Sequence, residues 1–123
     1  MLRMLLAVAL LLLPVVALAE SAEEMLSACR KLADAPVSGD QVRLPSDFDS
    51  GLCWGAFASI QSAIKLQYTD DTAPILRVCA PPSSRRTQLL AIFAQYARNH
   101  PERLHEDFFK VAWFALRDAF SCK

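Results

Sequence analysis

Four cysteines, Cys29, Cys53, Cys79 and Cys122, constrain the fold of this chain more than any other feature of its 123 residues. They follow an apolar N-terminal segment with the pattern of a secretory signal, and each lies near an end or a junction of a predicted helix. In an oxidising compartment, an even number of cysteines in so short a chain is typical of a disulfide framework. The sequence therefore predicts a small domain held together by two disulfides.

The N-terminal segment matches a cleavable export signal. Arg3 supplies the positive charge, a long apolar run follows it, and Ala17 and Ala19 are the small residues that signal peptidase requires. The apolar run is shorter than the roughly 20 residues that span a bilayer, so we expect no membrane anchor after cleavage. We expect a signal peptide at residues 1–19, cleaved after Ala19, and one mature periplasmic domain at residues 20–123.

The charge balance excludes a class of partner. The chain has 13 basic and 13 acidic residues, and loss of Arg3 with the signal peptide leaves a net charge of about −1. Proteins that bind nucleic acid usually carry a clear excess of basic residues. We therefore expect no nucleic-acid partner.

Apolar residues at helical spacing predict four helices and therefore an all-α fold. The first helix covers Ala22–Ala33, behind a capping box formed by Ser21 and Glu24. The second covers Gly51–Tyr68. The polar connector between them, Ala35–Ser50, is long for a compact domain, and loops of this length are often functional. The candidate N-caps of the second helix are Asp47, Asp49 and Ser50.

Pro101 separates the third and fourth helices. Ser83 or Ser84 is expected to cap the third helix, which ends at about Asn99. Pro101 cannot continue that helix but suits the first turn of the next, so the fourth helix is expected to begin there. The residues expected to point inward from it are Leu104, Phe108, Val111, Ala115, Leu116, Ala119 and Phe120.

The fourth helix also carries aromatic residues away from its buried stripe, namely Phe109, Trp113 and Phe114. A helix that is apolar on nearly all sides is either central in a fold or part of an interface. We expect this aromatic-rich face to form a homodimer.

Four cysteines allow three disulfide pairings, and the sequence alone does not choose among them. If the last three helices alternate in direction, the end of the fourth returns to the start of the third. That arrangement brings Cys122 near Cys79, and the connector can bring Cys29 back to Cys53. We prefer these two pairs, which a chain-entropy argument credits with about 3.5 and about 4 kcal/mol. Reduction is therefore expected to unfold the protein.

No set of residues with catalytic or metal-binding spacing is apparent. The cysteines include no CxxC or CxH pair, and His100 and His105 fall on different helix faces. The nucleophile motif G-x-S-x-G is missing, and Glu102 and Glu106 lie beside basic residues as on a solvated helix surface. The sequence predicts no enzyme activity, no metal site and no cofactor.

Four short motifs in a fixed order carry a resemblance to a known family. They are Leu52-Cys53-Trp54-Gly55-Ala56-Phe57, Cys79-Ala80-Pro81, His100-Pro101-Glu102 with His105, and Ala119-Phe120-Ser121-Cys122. This outline resembles the Rap/Tai family of periplasmic immunity proteins of type VI secretion. The chain departs from the family pattern where Leu52 and Ala56 replace aromatic residues and Ser121 replaces a proline.

The resemblance implies a small helical protein that binds and inhibits a secreted toxin, typically an enzyme that cuts peptidoglycan, such as an amidase. We expect a steric mechanism in which a loop or helix edge enters the cleft of the toxin. The expected contact residues lie in the connector and in the turn after the second helix: Asp40, Arg43, Asp47, Asp70 and Asp71. The alternative is a periplasmic chaperone for acid stress, which would expose apolar surface at low pH.

Overall fold

The computed structural model describes residues 20–34, 43–67, 74 and 76–123. These residues form four α-helices and one 3₁₀ turn, and the described part of the chain contains no strand, only two isolated β-bridges. The elements, in chain order, are α1 (Ala22–Ala33), α2 (Phe48–Leu66), α3 (Arg86–Asn99), the 3₁₀ turn (Pro101–Arg103) and α4 (Phe108–Ala119). The predicted all-α fold of four helices is confirmed.

The start of α1 is fixed by its own residues and by the start of α4. The capping box is confirmed, because Ser21 accepts a hydrogen bond from the Glu24 amide and Glu24 accepts one from the Ser21 amide. Across the fold, the Ala22 amide donates to the Glu106 carbonyl at 2.9 Å and the Phe108 amide donates to the Glu20 carbonyl at 3.0 Å. The N-termini of α1 and α4 are therefore joined by backbone hydrogen bonds.

Helix α2 begins earlier than the apolar periodicity indicates. Asp47, one of the three candidate caps, is the N-cap, and its carboxylate accepts from the Ser50 amide at 3.0 Å. The helix therefore starts at Phe48 rather than Gly51, and it ends at Leu66; Tyr68 lies outside the described residues.

Two predicted helix starts are wrong. Arg85, not Ser83 or Ser84, is the N-cap of α3, and it makes no side-chain capping bond. The chain after Pro101 forms only the 3₁₀ turn, and α4 begins at Phe108 behind the side chain of Asp107, which accepts from the Lys110 amide.

The backbone bonds with α1 explain the late start of α4. The carbonyls of Leu104 and Glu106 accept hydrogen bonds from the amides of Glu23 and Ala22, so they do not support a continuous α-helix from Pro101. The predicted inward positions on α4 are buried at Phe108, Val111, Ala115 and Leu116, whereas Ala119 is exposed, which corrects that assignment.

Three phenylalanine rings form the centre of the core. Phe57 of α2, Phe93 of α3 and Phe108 of α4 are each no more than 1% exposed, and their ring centroids lie 5.1–5.7 Å apart. Tilted and edge-on contacts of this kind stabilise a core beyond the area that the rings bury. Helix α1 packs on all three other helices and α3 packs on α2 and α4, but α2 and α4 share no extensive contact.

Two disulfides tie the ends of the fold together. Cys29 of α1 is bonded to Cys53 of α2, and Cys79, which precedes α3, is bonded to Cys122, which follows α4. These are the pairs that the sequence analysis preferred. None of the helices in the described part of the chain is long and apolar enough to cross a membrane.

Candidate functional site

Some of the predicted contact residues lie within the described part of the chain and others lie outside it. Asp40, Asp70 and Asp71 lie outside the described residues. Arg43 is exposed at the end of the connector, and Asp47 is half-buried four residues later. The structure therefore bears on two of the five.

Asp47 is held by bonds within the molecule. Its carboxylate accepts from the amide and the hydroxyl of Ser50, and it lies 3.2 Å from Nζ of Lys31 on α1. The backbone hydrogen bond from Ser50, followed by the contact with Lys31, lowers the pKa of Asp47 below its ordinary value. Asp47 therefore links α1 to the start of α2, and its part in partner binding stays a prediction.

Exposed apolar side chains lie on either side of Asp47 in the chain, and the sequence analysis did not predict them. Phe48 is 80% exposed and Leu44 is 41% exposed. Phe48 lies two positions before the buried Ser50, which is about 200° around an α-helix, so it faces away from the core. The sequence could have predicted the exposure of Phe48, because this residue directly follows a good N-cap residue and does not share the helical spacing of the buried Cys53 and Phe57. We call the segment Arg43–Phe48 the connector edge.

A second apolar surface lies between α2 and α4, where the two helices share little contact. It consists of two adjoining cavities of about 360 and 410 Å³, both bordered by Ser59 and Phe109. We call this surface the α2–α4 groove. Its first half is bordered by Gly51, Leu52, Gly55 and Ala56, and its second half by Ile60, Ala63, Leu76, Val78 and Trp113. Among the described residues, none that borders the second half is charged, so this half is suited to apolar groups.

The aromatic-rich face of α4 is only partly open. Phe109 is 55% exposed, whereas Trp113 and Phe114 are half-buried. The guanidinium of Arg117 lies 4.7 and 4.9 Å from the centres of their rings, and the indole of Trp113 donates to the Leu76 carbonyl. Cation–π contacts and one hydrogen bond therefore occupy two of the three aromatic residues.

A cluster of polar side chains at the start of α4 is held together by hydrogen bonds and ion pairs within the molecule. Arg103 donates two hydrogen bonds to Glu106 and one to the hydroxyl of Tyr96, and Lys110 lies 2.8 Å from Glu106. The hydrogen bonds from Arg103 and then Lys110 lower the pKa of Glu106 to about 2. A carboxylate ionised this firmly accepts no proton near neutral pH, so it is a poor general acid or base.

The histidines and acids do not assemble into a metal site in the described part of the chain. No group of three or more His, Cys, Asp or Glu side chains is placed there to hold an ion. His100 lies against the ring of Tyr96, with centroids 4.2 Å apart, and its Nδ1 is 2.9 Å from Glu102. The hydrogen bond with His100 lowers the pKa of Glu102 below its ordinary value.

Comparison with known proteins agrees with the resemblance found in the motifs. A family model described as Rap1a immunity proteins matches residues 21–122, from the N-cap of α1 to the last cysteine. No curated protein and no solved structure matches the chain significantly. Because the family model spans all four helices and both disulfides, the chain belongs to the Rap1a immunity protein family.

Proposed function

We propose that this immunity protein acts in the periplasm, after cleavage behind Ala19, and inhibits a type VI secretion effector that hydrolyses peptidoglycan, of the amidase type. The family match over residues 21–122 supports the general function, which is protection against a secreted effector. The pattern of an export signal in residues 1–19 supports the periplasmic location. An inhibitor in the periplasm is in the same compartment as the cell wall that it would protect.

We place the effector contact at the connector edge and at the predicted residues outside it. Phe48 is the most exposed large apolar side chain of the described residues, and Arg43 and Asp47 put charges on either side of Leu44. An aromatic anchor with a polar rim is the usual composition of an energetically important contact. Asp40, Asp70 and Asp71 belong to this proposal through their sequence positions alone.

The proposed mechanism is steric occlusion of the effector's cleft. The Cys29–Cys53 disulfide joins α1 to α2, and the bonds of Asp47 with Lys31 and Ser50 hold the end of the connector edge against these helices before any partner arrives. A surface ordered in advance loses little conformational entropy on binding, which favours tight inhibition.

We also propose a homodimer through Phe109 and the α2–α4 groove. Phe109 is 55% exposed and borders both cavities, so one surface offers both an apolar side chain and apolar space beside it. A two-fold interface requires this kind of self-complementarity, because the same patch serves both protomers.

The test starts with the tagged protein in the periplasm of its own host, crosslinked, recovered and analysed by mass spectrometry. We expect a peptidoglycan hydrolase in near-stoichiometric amount, and we expect purified protein to stop that hydrolase from releasing wall fragments. Phe48→Ala should weaken the inhibition by about 30-fold, the effect of losing about 2 kcal/mol at an interface centre. Gln95→Ala, at an exposed position of α3, is the control.

Two results would contradict the proposal. Recovery of many unrelated proteins without an enriched hydrolase would contradict the inhibitor function. The placement of the contact would be contradicted by a variant that combines Phe48→Ala with charge reversals at Asp40, Arg43, Asp70 and Asp71 and still inhibits the hydrolase fully.

A further inference from the structure

The two disulfides lie in different environments. Cys29 and Cys53 are both 0% exposed, inside the contact of α1 with α2. Cys122 is exposed one residue before the C-terminal Lys123, and Cys79 is half-buried. Thiol–disulfide exchange requires direct approach to a sulfur atom, and of the two bonds only the second includes an exposed cysteine residue.

Basic side chains surround the exposed disulfide. Among the described residues, Cys122 borders an open depression of about 660 Å³ together with the basic residues Arg77, Arg117 and Lys123 and the acidic residue Asp118. Arg77 also lies two residues before Cys79 in the chain. Positive charge near a sulfur stabilises a thiolate, both in the attacking group and in the group that leaves.

We propose that Cys79–Cys122 is a site of thiol–disulfide exchange with a dithiol reductant. One thiolate of the dithiol attacks Sγ of Cys122, the Cys79–Cys122 bond breaks, and Cys79 leaves as a thiolate beside Arg77. The second thiol of the reductant then attacks the reductant sulfur that is bonded to Cys122, which forms the disulfide of the reductant and releases Cys122 as a thiol. Two electrons pass to the protein, and the reductant leaves as a disulfide.

The disulfide is one of several contacts that hold residues 76–80, in which Val78 and Ala80 are also buried in the core. Residues 76–80 are attached to the C-terminus by the disulfide, the bridge of Val78 with Ser121 and the hydrogen bond from the Cys79 amide to the Phe120 carbonyl. Side chains hold the same segment elsewhere: Gln67 donates to the Val78 carbonyl at 2.6 Å, and Trp113 donates to the Leu76 carbonyl at 2.8 Å.

The clamped segment includes an unfavourable backbone conformation. Arg77 has a φ of 52°, in the left-handed region that non-glycine residues rarely adopt. A conformation of this kind persists only where surrounding contacts enforce it. Opening the disulfide therefore loosens residues 76–80, which border the α2–α4 groove through Leu76 and Val78. The core around Cys29–Cys53 keeps its own covalent link.

The first experiment measures the order in which the two bonds are reduced. The oxidised protein is exposed to graded dithiothreitol for increasing times, free thiols are blocked with N-ethylmaleimide, and labelled peptides are quantified by mass spectrometry. We expect Cys79 and Cys122 to be labelled at least about tenfold faster than Cys29 and Cys53, since only their bond includes an exposed cysteine residue. Equal rates, as in reduction after global unfolding, or earlier labelling of Cys29 and Cys53 would overturn the proposal.

The second experiment tests the charges and the clamp separately from stability. Lys123→Gln should slow the labelling of Cys122 by about twofold to threefold through loss of a nearby positive charge, while Arg98→Gln, at the far end of α3, should not change it. In Cys79→Ser/Cys122→Ser, hydrogen exchange should quicken at residues 76–80 and stay slow in α1 and α2. Uniformly faster exchange throughout the chain, or no change at residues 76–80, would contradict the clamp.

Discussion

At the scale of single residues, Phe108 and Phe109 are adjacent in the chain and lie in opposite environments. Phe108 is 1% exposed and contacts the rings of Phe57 and Phe93, whereas Phe109 is 55% exposed beside the α2–α4 groove. Consecutive helical residues point about 100° apart, so a buried position is readily followed by an open one. The same type of side chain therefore lies in the core at one position and at the surface at the next.

This pair provides a matched test of the core and of the dimer. Phe108→Ala should lower the free energy of unfolding by about 3–5 kcal/mol, because it empties the centre of the ring cluster. Phe109→Ala should change it by less than about 1 kcal/mol and should convert the proposed dimer to a monomer. Denaturant unfolding gives the first quantity, and sedimentation velocity gives the second.

The paired measurements have clear contradictory outcomes. Equal destabilisation by the two substitutions would contradict the core assignment. A wild-type protein that sediments as a monomer, or a Phe109→Ala variant that remains dimeric, would contradict the proposed interface.

At the scale of helices, the start of α2 depends on one side chain. Asp47 caps α2 through Ser50 and also attracts Lys31 of α1, so one residue sets both where the helix begins and how it meets its neighbour. The start of α3 differs, because Arg85 provides no side-chain cap. Helix α3 is held mainly by its packing, since Leu89, Leu90 and Phe93 are almost fully buried.

Two substitutions of Asp47 separate the cap from the charge. Asp47→Ala should cost about 1 kcal/mol of unfolding free energy, the usual effect of losing an N-cap. Asp47→Asn should cost only a few tenths, because asparagine caps equally well and an exposed ion pair contributes little. Equal effects in denaturant unfolding would mean that the charge, and not the cap, is what stabilises α2.

At the scale of the whole molecule, several carboxylates are more acidic in the folded state than in an unfolded chain. The pKa values of Glu24, Asp47 and Glu102 are lowered, each chiefly by a hydrogen bond, and that of Glu106 is lowered from 4.5 to about 2. In each case the folded state favours the ionised form. Protonation therefore favours unfolding, and the stability that these groups contribute is fully present only above their unfolded pKa values.

The expected pH dependence follows from that direction. The free energy of unfolding should be nearly constant above about pH 5 and should fall as the pH drops from about 4.5 towards 2, where Glu106 takes up its proton. Glu106→Gln should flatten this decline, and its stability should approach that of the wild type near pH 2. Glu23→Gln, whose carboxylate is exposed in the first turn of α1, is the control.

The same titration distinguishes the inhibitor from the chaperone. An inhibitor with two disulfides should stay compact and bind little hydrophobic dye at about pH 2 to 3, whereas an acid-activated chaperone should bind much more.

A free energy of unfolding that rises as the pH falls would contradict the assigned pKa directions.

The sequence by itself determined the features whose causes are local. The spacing of Cys53, Phe57 and Ile64 indicates a helix buried on one side, Ser21 and Glu24 indicate where α1 begins, and Pro101 indicates where α3 must end. Each depends on residues within one or two turns, which a sequence displays directly.

Only the tertiary structure decided the features that depend on neighbouring helices. Helix α4 begins at Phe108 rather than Pro101 because the start of α1 takes the carbonyls of Leu104 and Glu106. The α2–α4 groove exists because these two helices share little contact, which no periodicity displays. The difference in exposure between the two disulfides has the same origin, since packing of α1 on α2 covers Cys29 and Cys53, whereas Cys122 is exposed. Local patterns specify helices, and the surface that a partner or a reductant meets is what their packing leaves uncovered.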